Sequence, residues 1–287
     1  MNICFLDKTN FKYSAEDKHR YVLRGAETIL INLSNELRKL GHNVIVYNNC
    51  SDGNVNSYWK NINNIHLNNI KFDIAISNAD ATLFDYIVAK KKFVISYSLQ
   101  SIEKFIRKKQ LFAYLKHKPH YILIGKYHKQ NRSKLISLFG SSVLDLAVDD
   151  IFLETKLSNN ININQAIFTS RPDRNSALLI KIWKEKIFPN YKSAELLITP
   201  NNNKDLKFNI YERQIKSQNH LIKDLLKSRI FLAPGHKAEL FCLAAEEAKE
   251  LCIPIVTMGI GSLYERVIHE KTGFIAKDES EFAYYTI

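Results

Sequence analysis

Two acids, Glu239 and Glu247, stand eight positions apart in HKAELFCLAAEEAKELCIPIVTMGIGSLYERVIHEKTGF, residues 236–274. The segment follows the strand-like run RIFLAP and turns helical near Leu240, so its first amides point beyond a strand end. Unpaired N–H groups and the helix dipole make such an end an anion site. Eight helical residues rise about 12 Å and leave the two side chains about 80° apart around the axis. That is the reach of a nucleotide diphosphate sugar, with each carboxylate accepting hydrogen bonds from hydroxyls at one end. The competing reading is a solvated helical face made of Glu246, Glu247 and Glu250.

Other residues fall beyond strand ends as well. Arg171 and Arg174, in TSRPDRNSALLIKIW, sit in a strand-to-helix loop where guanidinium groups can hold phosphate oxygens bidentately, or lie on the surface of a basic protein. Gly259 and Gly261 follow another strand and serve either close approach of a ligand or turn formation. Gly25 closes the loop after the first strand, where a backbone can approach a ligand. Ser98, Gln100 and Ser101 lie beyond one strand, and Lys126, Tyr127 and His128 beyond another.

Several chemistries lack their signatures. There is no G-x-G-x-x-G after the first strand, no G-x-x-x-x-G-K-[ST], no G-x-S-x-G and no H-E-x-x-H. Dinucleotide-dependent, ordinary ATPase, hydrolase and zinc readings therefore lose their main support. Four cysteines, Cys4, Cys50, Cys242 and Cys252, are scattered without C-x-x-C spacing and read as buried free thiols. A net charge of +12 favours anionic partners such as nucleotide phosphates or anionic lipid. Nucleic acid is set aside, since no recognition motif or aromatic-rich basic stripe is present. No run reaches the apolar length of a membrane span and the N-terminus has no leader pattern, so the expectation is a cytoplasmic protein.

The elements that must position these residues alternate throughout the 287-residue chain, short β-branched runs with helical patterns. Strands are expected at 2–6, 43–47, 73–77, 93–97, 121–125 and 142–146, and again at 166–170, 195–199, 229–233 and 253–257. Ile29, Leu30, Leu33, Leu37 and Leu40 recur at helical spacing, with Gly41 as the stop. The polar, Asn-rich segment 156–165 reads as a linker between two α/β domains, 1–155 and 166–287. On 102–116, Ile102, Phe105, Ile106 and Phe112 share a face beside Lys104, Arg107, Lys108, Lys109 and Lys116. That face either packs on the core or rests on anionic lipid.

Residues 229–274 resemble the C-terminal core of retaining glycosyltransferases of the GT-B class, the group called family 4. The resemblance is carried by Pro234, Glu239, Glu247, Ala248, Pro254, Val256, Gly259, Gly261, Glu265, Thr272 and Gly273, in that order. RGAETILINLSNELRKLGHNVIVY and LDLAVDDIF are similar to the family's first loop and helix and to its approach to the interdomain linker. Departures are Leu240 and Cys242 in place of two glycines beside Glu239, Arg24-Gly25 in place of a glycine pair, and Arg174 closer to Arg171 than the family's basic pair.

The resemblance implies two Rossmann-like α/β domains facing each other across a cleft, and transfer of a hexose with retained configuration and no metal or other cofactor. The donor is a nucleotide-diphosphate sugar and the acceptor a saccharide or lipid-linked saccharide of the cell envelope, reached in the cytoplasm or at the inner face of the membrane through peripheral contact. Glu239 would hold the donor sugar near its reacting carbon and Glu247 the ribose. Arg171, Arg174 and the amides around Phe241 and Cys242 would take the diphosphate, with Gly25 on the donor side as well. Ser98, Gln100 and His128 fall to the acceptor side. Relatives continue past the point where this sequence ends, at FAYYTI, so C-terminal elements are expected to be missing. Two alternatives stay open, a nucleotide-sugar epimerase of the same architecture and a non-catalytic nucleotide-sugar-binding module.

Overall fold

Apolar runs flanked by helical segments build parallel strands buried on both faces, as β1 (Asn2–Leu6) and β2 (Asn43–Asn48) show, where every residue after the first is buried. The computed structural model describes residues 1–19, 23–51, 58–67, 70–157 and 160–287, which divide into two units, Met1–Asp145 and Leu146–Ile287. The first unit adds β3 (Trp59–Asn61), β4 (Lys71–Asn78), β5 (Val88–Ser96), β6 (His120–Leu123) and β7 (Ser141–Val143). Its helices are α1 (Gly25–Lys39), α2 (Ile102–Arg107), α3 (Leu111–His117) and α4 (Lys126–Asn131). Strand order is β3-β2-β1-β4-β5-β6-β7, all parallel.

The second unit opens with α5 (Asp150–Leu153) and contains β8 (Asn162–Phe168), β9 (Glu195–Ile198), β10 (Ile210–Glu212), β11 (Ser228–Gly235), β12 (Ile255–Ile260) and β13 (Gly273–Ile275). Its other helices are α6 (Ser176–Ile182), α7 (Gln218–Lys227), α8 (Leu243–Glu250), α9 (Leu263–Arg266) and α10 (Glu279–Thr286). The parallel order is β10-β9-β8-β11-β12-β13. Alternation along β8 and β11 splits the core. Ala166, Phe168 and Leu232 pack with Leu179, Trp183 and Phe282 on one face, while Ile167, Phe231 and Ala233 pack with Leu225, Ala245 and Ala248 on the other. The small Ala245 and Ala248 let α8 sit close to the sheet end.

The expected division at 155 to 166 differs from these units. Phe152, buried in the second core against Ile222 and Leu225, draws α5 into the second unit and moves the boundary to Asp145. Residues 162–165, expected in a linker, belong to β8, because Asn162 and Ala166 register with β11 and the Asn162 amide donates to Glu195 at 3.0 Å. Ser158 and Asn159 of that segment lie outside the described residues, as do Tyr21 and Val22 of the loop before α1. All ten expected strands overlap strands of the sheets. The additional β3, β10 and β13 have three residues each, too short to show a period.

Candidate functional site

The second sheet reverses its order between β8 and β11, the switch point where open α/β sheets take ligands beyond the strand ends. Arg171 to Arg174 follow β8, and residues 236–242 follow β11. After β8 the chain folds tightly, with the Arg174 amide on the Arg171 carbonyl at 2.9 Å. Asn175 then adopts a left-handed conformation, φ 65°, and its side-chain amide donates to the Gly235 carbonyl, which ties the two loops together.

After β11 the loop is held from outside. The Glu239 amide donates to the His236 carbonyl and the Ser262 amide to the Glu239 carbonyl, each at 2.9 Å. Gly261, at φ 75°, makes that contact possible, since a Cβ there would stand 2.3 Å from the His236 oxygen and 2.9 Å from that of Glu239. The helix starts at Leu243, three residues later than expected, because Cys242 sits at φ 61° and cannot join it. Glu239 is therefore a loop residue, and the helical rise computed between the two acids does not apply.

Four charges converge at this point. Arg171 grips Asp173 with Nε to Oδ1 at 3.0 Å and Nη2 to Oδ2 at 2.6 Å. Arg174 reaches the same Oδ2 with Nη1 at 2.9 Å and places Nε 3.4 Å from Glu239 Oε2. The Arg171 side chain is 71% exposed and that of Arg174 only 19%, so Arg174 acts in the less screened surroundings. Burial raises the Glu239 carboxyl, while Arg174 and then the Cys242 backbone draw it down. Burial likewise pushes up Asp173, but Arg171 and Arg174 outweigh it and the group is lowered overall.

Glu247 is half-buried by area, with its carboxyl deep among neighbouring atoms. Burial pushes it up to about 8, Arg213 opposes and Asp149 adds to the rise. Arg213 is itself fixed by Asp224, with Nε at 3.2 Å and Nη2 at 3.1 Å. The Cys242 thiol is pushed up chiefly by burial, with both Glu239 and Glu247 adding, so the two acids flank one buried sulfur. The solvated-face reading fits Glu250 and fails for Glu247. Glu246 is engaged too, by Lys249 at 2.6 Å and Arg266 at 3.4 Å, and the Arg266 guanidinium lies 4.2 Å over the buried Phe241 ring and 3.2 Å from Glu265.

Thus Arg171, Arg174, Glu239, Phe241, Cys242 and Glu247 come together in the second domain. Asp149, Asp173, Arg213 and Arg266 complete their surroundings and were not anticipated. Only Arg266, adjacent to Glu265, and Asp173, between the arginines, had a sequence cue.

Gly25, Ser98, Gln100 and His128 belong to the first domain. Gly25 is the exposed first residue of α1. Ser98 Oγ accepts from Lys104 Nζ at 2.7 Å, and Gln100 is buried with its Oε1 unpartnered. His128 lies on α4 at 1% exposure, where burial lowers it to about 4 despite the Ser98 carbonyl. It is therefore neutral at pH 7, with Nδ1 accepting from the Ile124 amide at 3.4 Å. Among the described residues no group of three or more His, Cys, Asp and Glu is placed to hold a metal ion, and no helix is long and apolar enough to cross a membrane.

Chemically, the second-domain site offers guanidinium and backbone donors beside two acids of different environment, a set suited to an anion flanked by hydroxyls. No protein-family model matches the chain, and no curated protein matches it in sequence. Solved structures do. The chain is similar to sucrose-phosphate synthase from Thermosynechococcus elongatus at TM-score 0.69 and 11% identity, covering 99% of this chain and 88% of that one. A glycosyltransferase from Rickettsia africae ESF-5 gives TM-score 0.65 and 14% identity over 99% of this chain and 86% of that one. HepE from Anabaena, in complex with UDP-glucose, gives TM-score 0.69 and 12% identity over 99% and 88%. The chain has the GT-B fold of these glycosyltransferases, two α/β domains each built on a parallel sheet.

Proposed function

We propose that the protein is a glycosyltransferase that moves a hexose from a nucleotide-diphosphate sugar to a glycan or lipid-linked saccharide of the cell envelope, with retained anomeric configuration and no metal. The observation that carries this reading is the pairing of Arg174 with Glu239 at the β8/β11 switch point, on a fold shared with glycosyltransferases. The diphosphate takes the place that Asp173 holds against Arg171 and Arg174. Glu239, released from Arg174, accepts from hydroxyls of the donor sugar, and Glu247 accepts from those of the ribose.

In the transfer step the bond from the anomeric carbon to the leaving phosphate oxygen breaks while the acceptor oxygen bonds to that carbon from the same face. The acceptor proton passes to the departing phosphate oxygen. Arg174 and the Cys242 amide stabilise the charge that develops there, which requires no carboxylate pair astride the bond. Incubation with a panel of nucleotide sugars and glycan extracts tests the reading by nucleotide release and by the anomeric configuration of the product. Release that depends on the extract, lowered about a hundredfold in Glu239→Gln, supports it. An altered sugar formed from donor alone would indicate an epimerase instead.

Peripheral contact with the inner face of the membrane is part of this reading. On α2 and α3, Ile102, Ile106, Phe112 and Leu115 are exposed beside exposed Arg107, Lys108, Lys109 and Lys116, whereas Phe105 is buried in the core. Vesicles containing anionic lipid should co-sediment with the protein, and Phe112→Ser should weaken that association. Equal sedimentation with neutral vesicles, or none, would contradict the contact.

A further inference from the structure

Lys90 and Lys92 stand on one face of β5, two residues apart, and meet opposite partners. Lys90 Nζ lies 2.7 Å from Asp73 Oδ1, and that carboxylate raises the ammonium above its ordinary value. Lys92 Nζ instead lies 2.8 Å from Nδ1 of His117, in the last turn of α3. The other ring nitrogen, Nε2, stands 2.8 Å from Oδ1 of Asp85, which lies in the 3-10 turn Ala81–Tyr86. A carboxylate, an imidazole and an amine are thus joined in series.

The partners fix the tautomer. An ionised Asp85 only accepts, so Nε2 carries the ring proton and Nδ1 presents its lone pair to Lys92. Lys116, paired with the same oxygen, holds the Asp85 carboxyl below its ordinary value. Burial lowers the imidazole, Asp85 opposes, and Lys92 and Lys116 add to the lowering, so the ring is neutral at pH 7. The charges facing it are therefore Lys92 from β5, Asp85 from the turn and Lys116 from α3. The fully buried Phe84 ring closes the floor, 5.9 Å from the imidazole and 5.9 Å from Lys92 Nζ, and Lys92 is registered against the uncharged Ala75 of β4.

Burial also lowers the Lys92 ammonium, Lys116 adds to this and Asp85 opposes. Of two lysines on one strand face, one is held charged by a carboxylate and the other meets a neutral base. An amine next to a base that a third group orients is the arrangement of an activated nucleophile. The group opens to solvent, since Lys92 is half-buried and the side chains of Lys116 and Asp85 are 51% and 38% exposed. Lys116 at its rim favours an anionic reagent.

We propose that Lys92 is a modification site, a nucleophilic amine that takes the acyl group of a small acyl phosphate with His117 as its base. The free amine attacks the carbonyl carbon, a C–N bond forms, and the bond from that carbon to the bridging phosphate oxygen breaks. The phosphate leaves with the electron pair, and the proton shed by the nitrogen passes to His117 Nδ1 and then to solvent. The product is an uncharged amide, and the step stands independently of the glycosyltransferase reading.

Acetyl phosphate is the probe, used on the full chain with mass spectrometry of the acetylated lysines over time. Cleavage at Asp and Glu gives one peptide, residues 86–103, that carries Lys90, Lys91 and Lys92 together as internal controls. Lys92 should acetylate about tenfold or more faster than Lys90 at neutral pH. His117→Gln should remove that advantage without changing Lys90, whereas His120→Gln should preserve it. Lys92→Gln, which removes the same charge as acylation, should raise the titration midpoint of the His117 ring followed by NMR. The proposal is overturned if Lys92 reacts no faster than Lys90, if its rate is unchanged in His117→Gln or falls equally in His120→Gln, or if the His117 midpoint does not rise in Lys92→Gln.

Discussion

Glu239 and Glu247 are the same residue type flanking one sulfur, and their neighbours set them apart. At Glu239 burial is opposed by Arg174, the Cys242 backbone and Arg171, whereas at Glu247 it is opposed by Arg213, held by Asp224, and reinforced by Asp149. The consequence for Glu247 is a pH dependence. Its folded value of about 8 exceeds the roughly 4.3 of an unfolded glutamate, so the folded chain holds the extra proton between those limits. Its contribution to stability is thus present at low pH and lost as pH rises through that window. Melting curves should show the wild-type midpoint falling relative to that of Glu247→Gln from pH 5 to pH 8. A constant difference across that range would contradict the burial of this carboxyl.

At the scale of elements, the site depends on how closely the turn after β12 approaches the loop after β11. Gly261→Ala would place a Cβ 2.3 Å from the His236 carbonyl oxygen, and backbone there has little room to yield. We expect about 2 kcal/mol or more of lost stability together with lost nucleotide binding. Gly41→Ala is the control, since its φ of 82° carries backbone strain but no atom lies within 4 Å of the new Cβ. Equal effects of the two in melting curves and nucleotide titrations would rule out the close approach as the reason for Gly261. The glycine itself was legible, but its use as a backbone contact rather than a ligand contact was not. Similarly, apolar spacing on α1 located the helix but misjudged its face. Leu40 is 72% exposed, while Glu27 and Ser34 are buried with Leu30 and Ile31. Periodicity assigns acids to solvent, and a buried acid escapes it. β5 begins at Val88, ahead of the expected start at 93, because Lys90, Lys91 and Lys92 break the apolar run while remaining in the strand, where Lys90 pairs with Asp73 at 2.7 Å and Lys92 Nζ lies 2.8 Å from His117 Nδ1.

Across the whole molecule, both sheets reverse beside strand 1 of their own unit, and each reversal carries a polar cluster of different character. The second sets Arg171, Arg174 and Arg213 among acids, and the first holds the acids Asp7 and Glu27 with no arginine among the causes of the Asp7 shift. The alternation of strands and helices made the two-sheet architecture readable. Arg171, Arg174, Glu239 and Glu247 were readable as a set because they fall beyond strand ends in an ordered pattern. Arg213 and Asp149 were not, since they approach Glu247 only through the fold, and Asp173 gave no sign of occupying both arginines. The central claim is that this second-domain cluster binds a nucleotide-diphosphate sugar. Calorimetric titration of the wild type and Arg174→Ala with a panel of nucleotide sugars tests it most directly. The account predicts saturable binding of at least one member, weakened about tenfold or more by the substitution. No binding by any member, or equal binding by both proteins, would contradict it.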